Sequence, residues 1–174
     1  MNDVQRGRRV VVVPPAPALS RAYASLTDPL PELRRAVTDA VAWLHGDVRV
    51  LADDDRARAL ADELLGRPGV DAGRDVLVMA NGSARRSEKA PGHLDPRAAE
   101  FDAQLEALLA AGDLAGLAGV AEADAELAHA LLACGLAGFA LLHAEGVTVT
   151  NVEIDHAGDP FGVMYWVVRF QCGS

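Results

Sequence analysis

Apolar and polar positions divide the chain into short continuous runs and longer helical stripes. Arg9–Val13 is a run of valines that stops at Pro14-Pro15, the pattern of a strand buried on both faces. A long connection follows to Asp28. Asp28 with Pro29 predicts a helix start, and Leu33, Val37, Val41 and Leu44 recur at helical spacing up to about His45. Gly46 suits the C-terminal cap. Val48–Leu51 reads as a short strand, and Asp53–Asp55 caps a second helix, Arg56–Leu65, closed by Gly66 and Pro68. Asp75–Ala80 is a third apolar strand. A polar loop, Asn81–Leu94, leads to Asp95-Pro96, which opens a helix to about Ala111. Gly112 and Asp113 punctuate it. An alanine- and leucine-rich helical region extends to about Glu145 with a break expected near Gly119. Gly135 and Gly138 within it predict close approach to a neighbouring element, since glycine otherwise weakens a helix.

The C-terminal part changes period. Val147–Ile154 and Phe161–Phe170 are β-branched and aromatic runs on either side of the turn His156–Pro160, which predicts an antiparallel hairpin. Val147, Val149, Val152 and Ile154 do not alternate strictly, so burial on both faces or a bulge is expected. Three strands alternating with helices, followed by a hairpin, predict an α/β fold with three α/β/α layers around a mixed sheet. One domain is expected over residues 9–172, with residues 1–8 disordered.

Composition narrows this picture. A chain of 174 residues suffices for one domain with a substantial core. The apolar half is largely alanine, valine and leucine, which predicts closely packed helices. A formal charge of −9 argues against a nucleic-acid partner, which needs a basic face. The most apolar stretch, Leu131–Leu142, falls short of the ~18 residues of a membrane helix. Val10–Val13 is too short for the core of a signal peptide. A cytoplasmic protein with no membrane partner is therefore expected. Cys134 and Cys172 form no CxxC pair and read as reduced thiols.

The loop from Asn81 to His93 concentrates the candidate chemistry. It leaves the carboxyl end of a predicted strand, the place where open α/β sheets bind ligands. Asn81, Ser83 and Ser87 offer polar groups, and Arg85, Arg86 and Lys89 gather positive charge in an acidic chain. Together they read as the ligand-binding residues for a small anion. The competing reading is a solvated loop whose charges pair with Glu88 and Asp95. His93 and His156 are the loop histidines and the candidates for proton transfer. Glu153, Asp155 and His156 could ligate a divalent metal, although carboxylates near a turn are more often solvated. The chain has no Walker loop, no GxGxxG and no GxSxG elbow.

Val10–Leu19, Leu77–Ala98 and Asp159–Tyr165 carry a resemblance. In these segments the chain resembles actinobacterial proteins similar to the catalytic subunit of class III extradiol ring-cleavage dioxygenases. The resemblance implies an α/β/α fold around a mixed sheet. It also implies a non-haem Fe(II) site of two histidines and a glutamate, with a further histidine as acid/base. The first ligand histidine would follow the first strand, where this chain has Pro14-Pro15-Ala16-Pro17. The second would follow a later strand, yet Val48–Asp55 contains no histidine. His93 stands in the loop matched to the acid/base histidine, and Glu153 is the candidate for the glutamate. The resemblance thus implies the fold and the pocket location without the iron chemistry.

Three functions fit these observations. The leading one is a divergent relative that needs no metal cofactor and binds or transforms a small anionic molecule. The second is a metal-dependent oxygenase whose Fe(II) ligands are rebuilt from His93, Glu153, Asp155 and His156. The third is a non-catalytic interaction protein in which the alanine-rich helices form a homo-oligomer interface.

Overall fold

Val10–Val13 are fully buried because β1 (Arg8–Val13) runs through the middle of the sheet. A computed structural model describes residues 7–23 and 27–173. Its sheet joins β1 to β2 (Val48–Leu51), β3 (Asp75–Met79), β4 (Thr148–Gly158) and β5 (Tyr165–Gly173) in the order β2-β3-β1-β5-β4. β3 pairs in parallel with β1 and β2, while β5 runs antiparallel to both β1 and β4. The mixed sheet and the C-terminal antiparallel pair are those expected from the sequence.

Strand pleating sends alternate side chains to opposite faces. Val11, Val13, Leu77 and Met79 pack against α1 (Pro31–Ala42) and α2 (Asp55–Leu65). Val10, Val12, Val76 and Val78 pack against α3 (Ala98–Ala111), α4 (Leu114–Ala123), α5 (Ala125–Ala130) and α6 (Ala137–Ala144). The layers are therefore helix, sheet, helix. Among the described residues no helix is long and apolar enough to cross a membrane.

Several boundaries differ from expectation, each for a local reason. α1 begins at Pro31 rather than after Asp28. The Asp28 carboxylate accepts from the Leu30 amide (3.0 Å) and from Arg34 Nε (2.7 Å), which makes it a turn residue tied to the helix rather than its cap. α3 begins at Ala98, because Asp95 accepts from the Arg97 amide and guanidinium and holds one more turn outside the helix. α4 runs through Gly119 without a break. The interruptions fall instead at Asp124 and at residues 131–136, where Leu132 and Gly135 take φ of +61° and +79°. β1 begins at Arg8, one residue before the expected start of the domain, and residues 1–6 of the segment expected to be disordered lie outside the described ones. The expected irregularity in the hairpin is present as register shifts between Val149 and Asn151 and between Ile154 and His156.

Candidate functional site

β1 and β3 are neighbours, yet the segments that leave them go to opposite faces. After β1 the chain passes through 3-10 turns at Pro17–Leu19 and Arg21–Tyr23 and buries Ala16 and Leu19 with α1 and α2. After β3 it crosses to α3 on the other face. Divergent connections from adjacent parallel strands leave a crevice at their carboxyl ends. Here it has a volume of about 550 Å³. Its floor is Met79, Asn81 and Cys134, and Pro15, Pro17 and Leu60 form apolar walls. Asp53, Asp54 and Glu63 contribute carboxylates, against one guanidinium from Arg56.

The local reasons for these positions are short-range. Asp54 is the N-cap of α2 and accepts from the Ala57 amide at 2.8 Å. Asp53 Oδ2 accepts from the Gly135 amide at 2.6 Å and so pins the segment before α6 to the end of β2. Glu63 accepts from the Arg21 amide (2.6 Å) and from Ser20 Oγ (2.8 Å). These two bonds, the Arg21 amide foremost, hold its carboxyl below the usual range. Asn81 and Cys134 exchange backbone hydrogen bonds at 3.2 Å, and Cys134 Sγ donates to Asn81 Oδ1 at 2.7 Å. Burial pushes the Cys134 thiol up to about 11, and the nearby Asp53 and Asp54 charges push in the same direction. The thiol is therefore a protonated donor at neutral pH rather than a nucleophile.

The loop expected to bind an anion is largely turned inward. Asn81 alone of its residues reaches the crevice. Ser83 is fully buried, and its amide and Oγ donate to Asp102 of α3 at 2.7 and 2.6 Å. Arg85 donates to the Ala130 carbonyl at 2.9 Å and packs along Gly92. Arg86 donates through Nε to Asp159 at 2.9 Å, lies 3.7 Å from Asp102, and bonds through its amide to the Gly162 carbonyl. Ser87 is half-buried, and its carbonyl accepts from the Ala90 amide. Lys89 is exposed and has no ion pair among the described residues. The charges of Arg86 are thus met by Asp159 and Asp102, not by the Glu88 and Asp95 suggested by proximity in sequence. The loop acts as a latch that ties β3 to α3 and to the turn between β4 and β5.

Asp102 is the centre of that latch. Burial raises its pKa, and the bonds from Ser83 and the Arg86 charge only partly offset this. The folded protein therefore holds this proton more tightly than the unfolded chain. The associated stability is present at low pH and is lost as pH rises from the ordinary aspartate range through the raised value. Asp102→Asn keeps an acceptor for the Ser83 amide and removes the titration. Urea midpoints measured against pH should accordingly show wild type losing stability relative to the variant as pH rises through that window, because only wild type gives up the Asp102 contribution. Parallel profiles would contradict the assignment.

The two candidate histidines lie apart from the crevice. His93 is exposed with φ of +57°, its Nδ1 is 3.4 Å from the Glu88 carbonyl, and its own carbonyl faces Arg85. His156 belongs to β4 and lines a separate hollow of about 400 Å³ with Pro29–Leu33 and Asp159. Its Nε2 is buried without a hydrogen-bond partner among the described residues. Glu153 and Asp155 are both bound to Arg169, at 2.6 and 2.7 Å. Among the described residues no group of three His, Cys, Asp or Glu side chains could hold a metal ion. The donors present do not fit the iron site that the resemblance implies.

Sequence reasoning missed Asp53, Asp54, Glu63 and Cys134 as crevice residues. The aspartates read only as helix caps, and nothing near Cys134 in the chain announces its contact with Asn81. The visible signal was positional: Pro15, Asp53 and Asn81 each follow a predicted parallel strand. Comparison of the chain with models of known protein families gives no match, and comparison with curated proteins gives none either.

Proposed function

We propose that this chain is a small-molecule-binding protein, a divergent relative of the extradiol dioxygenases that works without their iron site, and that the crevice beyond β1, β2 and β3 is its binding site. One observation carries the reading: three parallel strands deliver Pro15, Asp53 and Asn81 to the rim and floor of a 550 Å³ crevice where the chain switches faces. The volume is that of an ordinary ligand site, and its mixture of apolar walls with a few fixed polar groups is the usual composition. The resemblance in Val10–Leu19 and Leu77–Ala98 covers the segments that leave β1 and β3, which adds weight to this location.

Binding is favoured over catalysis, because the histidines suited to proton transfer lie elsewhere and the Cys134 thiol is held protonated. The test is a thermal-shift screen of small molecules, of all charges, on wild type and on Ala59→Trp. Ala59 is an exposed α2 residue lining the crevice, so an indole there fills the space without entering the core. A ligand at about a hundred times its Kd stabilises by about 2.7 kcal/mol, a shift of several degrees. Shifts in wild type that vanish in Ala59→Trp support the reading. Equal shifts in both proteins, or none in either, overturn it.

A further inference from the structure

We propose that the crevice selects cations, and that its ligand carries a protonated amine or amidine on an apolar body. This rests on the crevice being the binding site and reverses the anion expected from the Asn81–His93 loop.

The charge on the lining decides the sign. Asp53, Asp54 and Glu63 face one Arg56, so the crevice carries an excess of negative charge. Among the described residues none of the three forms an ion pair, and their hydrogen bonds come from amides and a hydroxyl; the Arg21 and Arg34 charges act on Glu63, which leaves Asp53 and Asp54 as the carboxylates open to a cation. Asp53 Oδ1 and Asp54 Oδ2 each accept no hydrogen bond there, so both retain an oxygen for a donor from outside. The feature that could have held an anion is already used. The start of α2, where unpaired amides and the helix dipole favour negative charge, is capped by the Asp54 carboxylate and followed by Asp55. An anionic ligand would meet like charges, and a cation would find free oxygens.

The rest of the lining describes the body of the ligand. Pro15, Pro17, Leu60 and Met79 offer apolar surface beside the carboxylates, which suits a ring or a short alkyl chain. Asn81 adds a directional element. It is more than nine-tenths buried, its Nδ2 makes one hydrogen bond, to the Gly82 carbonyl, and an amide carries two hydrogens. The second hydrogen has no acceptor among the described residues, and the side chain lines the crevice. A hydroxyl or carbonyl oxygen on the ligand body would satisfy it.

The experiment compares three probes of one shape, phenethylamine, 2-phenylethanol and 3-phenylpropionate, by titration calorimetry at low ionic strength. The proteins are wild type, Asp53→Asn/Asp54→Asn, and Ala59→Trp. Asparagine preserves the N-cap at 54 and an acceptor for the Gly135 amide at 53, so the double variant folds. The expected result is tightest binding by phenethylamine, weakened roughly tenfold or more in the double variant, since charge-assisted hydrogen bonds are the strong ones. Binding of 2-phenylethanol should be weaker and indifferent to the double substitution. All binding should be lost in Ala59→Trp. If 3-phenylpropionate binds as well as the amine, or the amine ignores the double variant, cation selection is wrong while the crevice stands. If probes bind Ala59→Trp and wild type alike, or no probe binds wild type, the crevice reading fails and cation selection fails with it.

Discussion

A chain ending before Asp159 should be insoluble when expressed, because the deletion removes the strand that both cores share. β5 lies between β1 and β4, and its side chains alternate between the two layers of helices. Trp166, Val168, Phe170 and Cys172 enter the core formed with α3, α4 and α6, and Tyr165 and Val167 enter the one formed with α1 and α2. All six are buried. At about 1.5–3 kcal/mol for a large buried side chain, their loss amounts to about 10 kcal/mol, comparable to the entire stability of an ordinary domain. The damage extends beyond burial. β1 would expose an unpaired apolar edge, a template for aggregation. Arg169, which stacks over Trp43 and holds Asp155, would go, as would Asp159, the partner of Arg86. The result is read by fractionation and, if any protein is soluble, by its melting curve. A soluble truncation that melts cooperatively would refute the central role given to β5.

Where local chemistry decides an element, the sequence announced it. The four valines of β1 are buried on both faces, as their continuity requires. Gly66 and Gly112 close α2 and α3 with φ of +68° and +64°, the conformation that a glycine after a helical stripe leads one to expect. Asp54 caps α2 through its own side chain. Expectation failed where a side chain had a better partner farther away. Asp28 looks like a cap, but Arg34 takes its second oxygen and the helix starts later. Gly119 looks like a breaker, yet nothing lies within 4 Å of where its Cβ would be, and the helix runs through it.

The candidate site follows the same division. Its place, at the carboxyl ends of the parallel strands, was legible from the alternation of strands and helices. Its chemistry was not. Arg85 and Arg86 are free charges in one dimension, and their partners Ala130 and Asp159 are 45 and 73 residues away. Ser83 meets Asp102 across 19 residues and Asn81 meets Cys134 across 53. No periodicity marks such contacts. A cluster of arginines therefore read as a ligand site without sight of the internal partners that Arg85 and Arg86 have, while the crevice carboxylates passed as helix caps. The crevice and its latch share one hinge point in Asn81, whose backbone bonds to Cys134 and whose neighbour Gly82 bonds to Met164.

That junction makes Gly135→Ala the substitution with the largest expected effect for its size. Gly135 has φ of +79°, and a Cβ there would stand 2.0 Å from the Met79 carbonyl oxygen and 2.6 Å from Ala80. Both obstacles are backbone or Cβ atoms of the chain leaving β3, which cannot rotate away. The left-handed conformation costs a non-glycine residue about 1–2 kcal/mol, and forcing an atom into packed surroundings costs about 1–3 kcal/mol more. The total is about 2–5 kcal/mol, which lowers the melting temperature by about 5–15 °C in a domain of this size. Gly66→Ala isolates the first contribution, because Gly66 shares the positive φ but has nothing within 4 Å of a new Cβ. It should cost only about 1 kcal/mol. The collision has a second consequence. Relief requires the segment carrying Cys134 to move off β3, which breaks the Asn81–Cys134 bridge and the Asp53 bond to the Gly135 amide. The floor of the crevice then opens, so any ligand whose binding Ala59→Trp abolishes should also bind Gly135→Ala more weakly, even at temperatures where that variant remains folded. The measurement pairs melting curves of the two glycine variants with ligand titrations well below their midpoints. A Gly135→Ala protein as stable as Gly66→Ala, with unchanged ligand affinity, would show that Gly135 does not hold the crevice floor against β3.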